Sequence, residues 1–582
     1  MLAANRPLRL ALYALLAALV YLPGLGRPAL WEPDEGRYAE IAREMVVSGD
    51  YVTPRDDFEL YFEKPPLVYW AEAASIHVFG VDEFAVRLPA ALFSVGQVVV
   101  TAALADAMLG ATAGFLAAVV LALSPLFFGF ARFATLDPAL AFCLTAALAA
   151  FFAAAREDSF SQPSSRRWML TSAAMLALGT LAKGPVALLL GGAIALAWLA
   201  SERRLRQVAQ MPLVRCAIVY AMIVVPWFVL MELRNPGFLS FFFIHEHLER
   251  YVTSSEHGWG PWFFTPIVAG GTWPWIFFVP LGWSAMRADN GNALPEQTPN
   301  PSGRRSAARF LAIWFVVILV FFSIPRSKLG SYVLPALPPL AIVAGFGLVR
   351  LCTIPPDSRR RILHWFVIVN FALAATGIVV LWKFLRPVDI KLANDGILLA
   401  ILLAAAALVF DLVGNVPRQA FNAIIYFAVM MFMVVGASKF ARDDAAPRST
   451  YRNLARSVRP YLAGDCTLAS YRHYVQSLPF YTGRRETRVN YRGELSEVSP
   501  PTLGESPFLI NSDARLRAAW SSGSCMILVA NASDLKGLRD MLKPAPVVVG
   551  CEGKKFALYN GAIAPPPDAS GCLKSEAGFW KP

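Results

Sequence analysis

Trp31-Glu32-Pro33-Asp34-Glu35-Gly36-Arg37-Tyr38 opens a charge-dense block that runs on to Tyr61-Phe62-Glu63-Lys64-Pro65-Pro66. The chain on either side is greasy, with apolar runs of roughly 20 residues, the length at which a helix crosses a bilayer. Charged side chains beside a bilayer are costly to keep from water, so a block of this kind generally lines a site. Thr135-Leu136-Asp137-Pro138 adds another acid after the third apolar run. Together they predict a reaction centre outside the cytoplasm, carried on a membrane scaffold.

The rest of the chain supports that class. Of 582 residues, 56% are hydrophobic and only 16% charged, which is too apolar for a soluble enzyme. Spans are expected at 8–25, 84–105, 110–130, 137–155, 168–182, 184–201, 213–231, 263–286, 308–324, 332–350, 362–382, 396–414 and 420–438, about thirteen in all. The first has no small-residue cleavage site and leads straight into the charged block, so it reads as a span and not as a cleaved signal. Alternate loops carry the arginines: Arg156, Arg166 and Arg167; Arg203, Arg204 and Arg206; Arg287, Arg304, Arg305 and Arg309; Arg350, Arg359, Arg360 and Arg361. The opposite short loops hold far fewer cations, which places the N-terminus in the cytoplasm and the C-terminal region outside. Much of the net charge of +12 comes from those loop arginines, which set topology and touch anionic headgroups, and it gives no reason to expect nucleic acid.

The expected fold is mainly α: a polytopic membrane domain over 1–440, with outside loops at 25–83 and 232–262, and a small soluble α/β domain over 441–582. In the first loop, Glu35 to Met45 and Pro66 to Phe79 have helical spacing and suit helices lying on the outer membrane surface. In the C-terminal domain, Cys466–Tyr471, Met526–Ala530 and Val547–Gly550 read as strands, and Ser533–Leu542 as a helix capped by Ser533. Cys143, Cys216 and Cys352 lie in or beside spans and read as packing residues. Cys466, Cys525, Cys551 and Cys572 lie in the outside region, where one or two disulfides can form, with three pairings open if both do.

The candidate residues gather on outside loops and span ends. Asp34 follows Pro33 and precedes a helix, so it suits a helix cap as well as a reaction centre. Glu63-Lys64 is either a surface ion pair or a diverging couple, Lys64 toward a phosphate and Glu63 toward a metal or a basic partner. Asp137 is the second candidate acid. His245 and His247 point different ways on one helical segment, so at most one of them shares a metal with Glu63; both also suit an aromatic belt without metal. Lys183, Arg326, Lys328 and Tyr332 sit at outside span ends, either snorkelling to headgroups or holding a lipid phosphate.

Asp34-Glu35-Gly36-Arg37-Tyr38-Ala39-Glu40-Ile41-Ala42-Arg43-Glu44-Met45, Ser48-Gly49-Asp50 and Tyr61-Phe62-Glu63-Lys64-Pro65 resemble the bacterial aminoarabinose transferases that modify lipid A. These are GT-C enzymes related to protein O-mannosyltransferases. The resemblance continues through Leu136-Asp137, Lys183-Gly184-Pro185, His245-Glu246-His247 with Arg250, and Lys328 to Tyr332 with Leu334-Pro335. It implies a donor of undecaprenyl phosphate carrying 4-amino-4-deoxy-L-arabinose, a lipid A phosphate acceptor, and a monomeric enzyme of the bacterial inner membrane working on the periplasmic side. It implies Asp34 and Asp137 as the essential acids, with Lys64, Arg250 and Tyr332 on the donor phosphate. Arg37, Lys183 and Lys328 complete the substrate-binding set. Glu63 with His245 or His247 would hold a divalent metal such as zinc. A different GT-C transferase, moving another sugar to protein or glycan, shares most of these features. A transporter fits less well, because the charges cluster at outside span ends and no internal repeat is present.

Overall fold

A computed structural model describes residues 5–157, 159–249, 259–288, 301–380, 450–462, 464–491 and 508–561. The chain opens with helices α1 (Arg6–Tyr21), α2 (Asp34–Ser48), α3 (Leu67–Phe79), α4 (Glu83–Leu109), α5 (Ala111–Ala122), α6 (Pro125–Ala131), α7 (Asp137–Ala155), α8 (Pro163–Lys183), α9 (Val186–Ser201) and α10 (Leu213–Arg234). By its contacts it divides into two units: residues 1–25 with 88–441, and residues 26–87 with 442–582. The first loop leaves the 1–440 domain expected from sequence and joins the C-terminal domain.

In the membrane unit, every expected span up to residue 380 falls on a helix or a helix pair, and those at 396–414 and 420–438 lie outside the described residues. Five helices among the described residues are long and apolar enough to cross a bilayer, or up to seven if each bent pair is one span. The stretches 110–130 and 263–286 are not straight. Ala111–Ala122 meets Pro125–Ala131 at 68°, and Pro261–Gly271 meets Trp275–Arg287 at 94°. Pro125 and Pro274 lie at these breaks; a proline supplies no N–H to continue the ladder and starts the next helix instead. Small residues let helices approach closely. A Cβ on Gly282 would lie 1.9 Å from the Val343 carbonyl oxygen, and one on Gly347 would lie 2.2 Å from that of Phe278.

The second unit carries the soluble fold. The hairpin β1 (Arg55–Asp56) and β2 (Glu59–Leu60) lies in the first loop. A six-stranded sheet follows, built from β3 (Thr467–Tyr471), β4 (Glu486–Val489), β5 (Leu509–Ile510), β6 (Met526–Asn531), β7 (Val547–Glu552) and β8 (Lys555–Tyr559) in the order β5-β4-β3-β6-β8-β7. The strands from β5 to β6 run parallel; β8 is antiparallel to β6 and β7. Alternation along β6 explains the two-sided burial. Met526, Leu528 and Ala530 enter a core with Trp520 and Leu538, whereas Ile527 and Val529 enter another with Leu454 and Leu478. Cys466 and Cys525, one residue before adjacent strands, are disulfide-bonded. The helix expected from Ser533 begins later, at Leu535, after a 3-10 turn over Ala532–Asp534.

α2 also departs from its expected setting. Every residue from Glu35 to Met45 is buried, so the helix has no solvated polar face, and its charges are paired instead. Arg43 makes a two-pronged ion pair with Glu40 at 2.7 and 2.6 Å, and the Glu44 carboxylate accepts the Phe58 N–H at 2.9 Å. The C-terminal domain covers the loop. Tyr474 donates its hydroxyl to Asp56 at 2.9 Å, the Glu486 N–H donates to Asp57 at 2.9 Å, and Arg488 pairs with Glu59.

Candidate active site

The start of α2 is fastened before any substrate is considered. Glu35, just inside the helix, accepts the Trp31 N–H at 3.0 Å and takes both prongs of the Arg87 guanidinium at 2.7 Å. Arg87 also donates to the carbonyls of Pro28 and Ala29 at 2.6 and 2.9 Å. Both side chains are fully buried. Burial of such a pair is tolerated only with this degree of hydrogen bonding. Glu35 is therefore a structural anchor, and the residue it needs, Arg87, was not singled out from sequence. The available signal was an arginine just inside an apolar span, which requires a partner.

Asp34, one residue earlier, is the first residue of α2 and remains partly exposed. Pro33 takes the cap position without a side-chain bond, so Asp34 is not the helix cap. A carboxylate there complements the positive end of the helix dipole. Arg37 and Tyr38 follow and are buried. The Tyr38 phenol lies within electrostatic reach of Asp34, Arg37, Glu63 and Tyr69. Tyr61 donates its hydroxyl to Glu63 at 3.2 Å, and Lys64 stands 3.8 Å from the same carboxylate. Burial pushes the phenols of Tyr38, Tyr61 and Tyr69 far above their ordinary range, so all three act as neutral groups. The loop unit thus gathers Asp34, Arg37, Glu63 and Lys64 around a tyrosine cluster.

The membrane unit gathers a second set. Asp137 is the first residue of α7 and Lys183 the last of α8, two helices packed along their length. An acid at a helix start and a cation at a helix end each complement the local dipole. Lys183 Nζ lies 2.5 Å from Asp137 Oδ1 and 4.7 Å from the centre of the Tyr332 ring. Lys328 is not brought into this set. It is buried and donates to the carbonyls of Trp259, at 2.9 Å, and Pro325. His245 is exposed on the helical turn Phe241–Glu249, its ring 5.1 Å from that of Phe241. Arg250 and the His247 side chain lie outside the described residues.

Among the described residues no group of three or more His, Cys, Asp or Glu side chains is placed to hold a metal ion. Beside the Glu63 carboxylate stand a phenol and an ammonium. The expected pairing of Glu63 with His245 or His247 lies partly outside the described residues.

Comparison with known proteins places the chain. Residues 8–242 match the model of the dolichyl-phosphate-mannose-protein mannosyltransferase family. An undecaprenyl phosphate-α-4-amino-4-deoxy-L-arabinose arabinosyl transferase of Sodalis glossinidius is 32% identical over 439 residues, 73% of this chain and 71% of that protein. The chain belongs to the aminoarabinose arabinosyl transferase family. The member from Erwinia tasmaniensis is 34% identical over 339 residues, 57% of this chain and 58% of that protein, so the match spans less than two thirds of that relative. The fold similarity extends further. The crystal structure of the arabinosyl transferase ArnT from Cupriavidus metallidurans, bound to undecaprenyl phosphate, superposes with a TM-score of 0.82 at 28% identity, covering 97% of this chain and 100% of that one.

Proposed function

We propose that this protein transfers 4-amino-4-deoxy-L-arabinose from undecaprenyl phosphate to a lipid A phosphate, on the periplasmic face of the bacterial inner membrane. The observation that carries this reading is the similarity, over nearly the whole chain, to a solved transferase that binds undecaprenyl phosphate. The arginine-rich alternate loops support the orientation, and the Cys466–Cys525 disulfide supports an oxidising location for the C-terminal domain.

The chemistry suits the residues. An acceptor phosphate oxygen attacks the anomeric carbon, the bond from that carbon to the undecaprenyl phosphate oxygen breaks, and the electron pair leaves with that phosphate. The product is inverted. The leaving group is already a stable anion, so fixed positive charge serves better than a general acid. Lys64 and Arg37 supply it in the loop unit, and Arg250 has the right charge for the same task. Phosphate is ionised at neutral pH, so no strong base is required. Asp34 stabilises the positive charge that builds on the sugar ring. Asp137, held by Lys183 beside Tyr332, offers a carboxylate to the donor's ammonium. Lys328 acts on the loop that carries it and not on substrate.

Mass spectrometry of lipid A from a strain lacking the protein tests the reading: the aminoarabinose-modified species should disappear and return with the wild-type gene. Asp34→Asn should restore protein to the membrane but not the modification. An unchanged lipid A profile, or loss of a different sugar from protein or glycan, would overturn the proposal.

A further inference from the structure

Two residues before Asp34, the side chain of Glu32 reaches into the C-terminal domain. Its two carboxylate oxygens accept the backbone N–H groups of Gln476 at 2.9 Å and Ser477 at 2.8 Å, at the start of the helix Ser477–Thr482. The contact does not stand alone. The Leu30 N–H donates to the Tyr481 hydroxyl at 2.8 Å, and that hydroxyl donates to Glu83 at 3.1 Å. Gly36 approaches the same helix so closely that a Cβ there would lie 2.7 Å from the Ser477 nitrogen. Residues 30, 32 and 36 therefore bracket Asp34 with contacts to one short helix from a region more than 400 residues away in sequence. On the loop side, Pro33 offers no side-chain cap and bonds the helix start only through its carbonyl, which accepts the Arg37 N–H at 3.0 Å.

We propose that Glu32 is a positioning residue: through the backbone of Gln476 and Ser477 it uses the C-terminal domain to set the start of α2, and hence Asp34, for the transfer reaction. The inference rests on the function proposed above and gives the C-terminal domain a task, that of fixing the acid-bearing loop. A carboxylate suits it because two adjacent N–H donors need two acceptors. Glutamine at this position would offer one oxygen and turn an NH2 group against the second donor.

The molecule contains its own control. Glu552 likewise accepts two adjacent backbone N–H groups, those of Asn453 and Leu454 at 2.8 and 2.9 Å on one oxygen, with the Asn453 side-chain amide on the other at 2.9 Å, but wholly within the C-terminal domain. The experiment compares Glu32→Gln with Glu552→Gln in the full-length protein, measuring thermal stability, kcat, and KM for the undecaprenyl-phosphate sugar. Glu32→Gln should lower kcat by about tenfold or more, since a small misplacement of a reacting group is enough for that, with KM changed less than twofold. Glu552→Gln should lose similar stability and keep kcat within twofold. Hydrogen exchange gives a readout independent of substrate: the amides of Gln476, Ser477 and the first turn of α2 should exchange faster in Glu32→Gln alone. Unchanged kcat with unchanged exchange in Glu32→Gln, or kcat falling in step with stability in both variants, would overturn the proposal. A wild-type protein inactive with this donor would refute the proposed function instead, and the exchange comparison would then decide whether Glu32 sets the start of α2.

Discussion

Each unit holds an acid–base pair at a helix start, and the two pairs are built for different ends. Glu35 and Arg87 are both fully buried, and each nitrogen of the guanidinium is directed to the carboxylate or a carbonyl. Asp137 and Lys183 keep 10% and 16% of their side-chain surface exposed, and Lys183 rests on an aromatic face. A sealed pair holds a fold together; a partly open pair can exchange partners when a charged ligand arrives. Charge density alone, which draws the eye to both stretches of sequence, does not distinguish them. Exposure does.

The largest effect expected from this contrast is at the sealed pair. Arg87→Ala leaves Glu35 buried without its cation, a cost of about 3–5 kcal/mol, and should remove folded protein from the membrane. Arg87→Lys should not rescue it, because an ammonium cannot reproduce the two-pronged geometry and the two carbonyl bonds together. Folded, active Arg87→Ala protein would erase the distinction. At the open pair, Lys183→Ala should leave a protein that inserts and folds but has lost roughly 10–100-fold in kcat, as expected when a reacting group is left unheld. Steady-state kinetics beside a melting curve separates the two cases. A collapse in stability matching that of Arg87→Ala would show both pairs to be structural.

The smallest effect expected concerns pH and belongs to the loop unit. Burial pushes the Asp56 carboxyl up to about 7 and that of Glu486 to about 8, well above ordinary carboxylates. A carboxyl raised on folding stabilises the native state below its unfolded value, and that contribution is lost as pH rises through the folded one. Thermal stability should therefore fall by several degrees between pH 6 and pH 8, and calorimetry on Asp56→Asn with Glu486→Gln should find the slope flattened. A slope that is absent in the wild type, or that survives in the double variant, would mean these carboxyls are better solvated than their packing indicates.

Much of this was legible in the residues themselves. Apolar runs of bilayer length, β-strand patterns and the acid at the head of α2 are local signals, each read within about twenty residues, and the local physics of helix and strand formation acts on the same scale. Asp34 and Asp137 were found this way because an acid at the mouth of a span is conspicuous wherever it is. What could not be read was which charges would be consumed by packing. Glu32, Asp56 and Asp57 look like any other acids of the block, and their partners Ser477, Tyr474 and Glu486 lie 445, 418 and 429 residues further on. Lys328 likewise reads as a phosphate ligand until its ammonium is seen against two carbonyls. Residue patterns within the reach of one helix or strand specify the membrane class, the helices and the acids at the helix starts. The grouping of the first loop with the C-terminal domain, and the choice of which ion pairs are sealed, come from long-range packing, because burial and hydrogen-bond satisfaction depend on residues that chain proximity does not bring together.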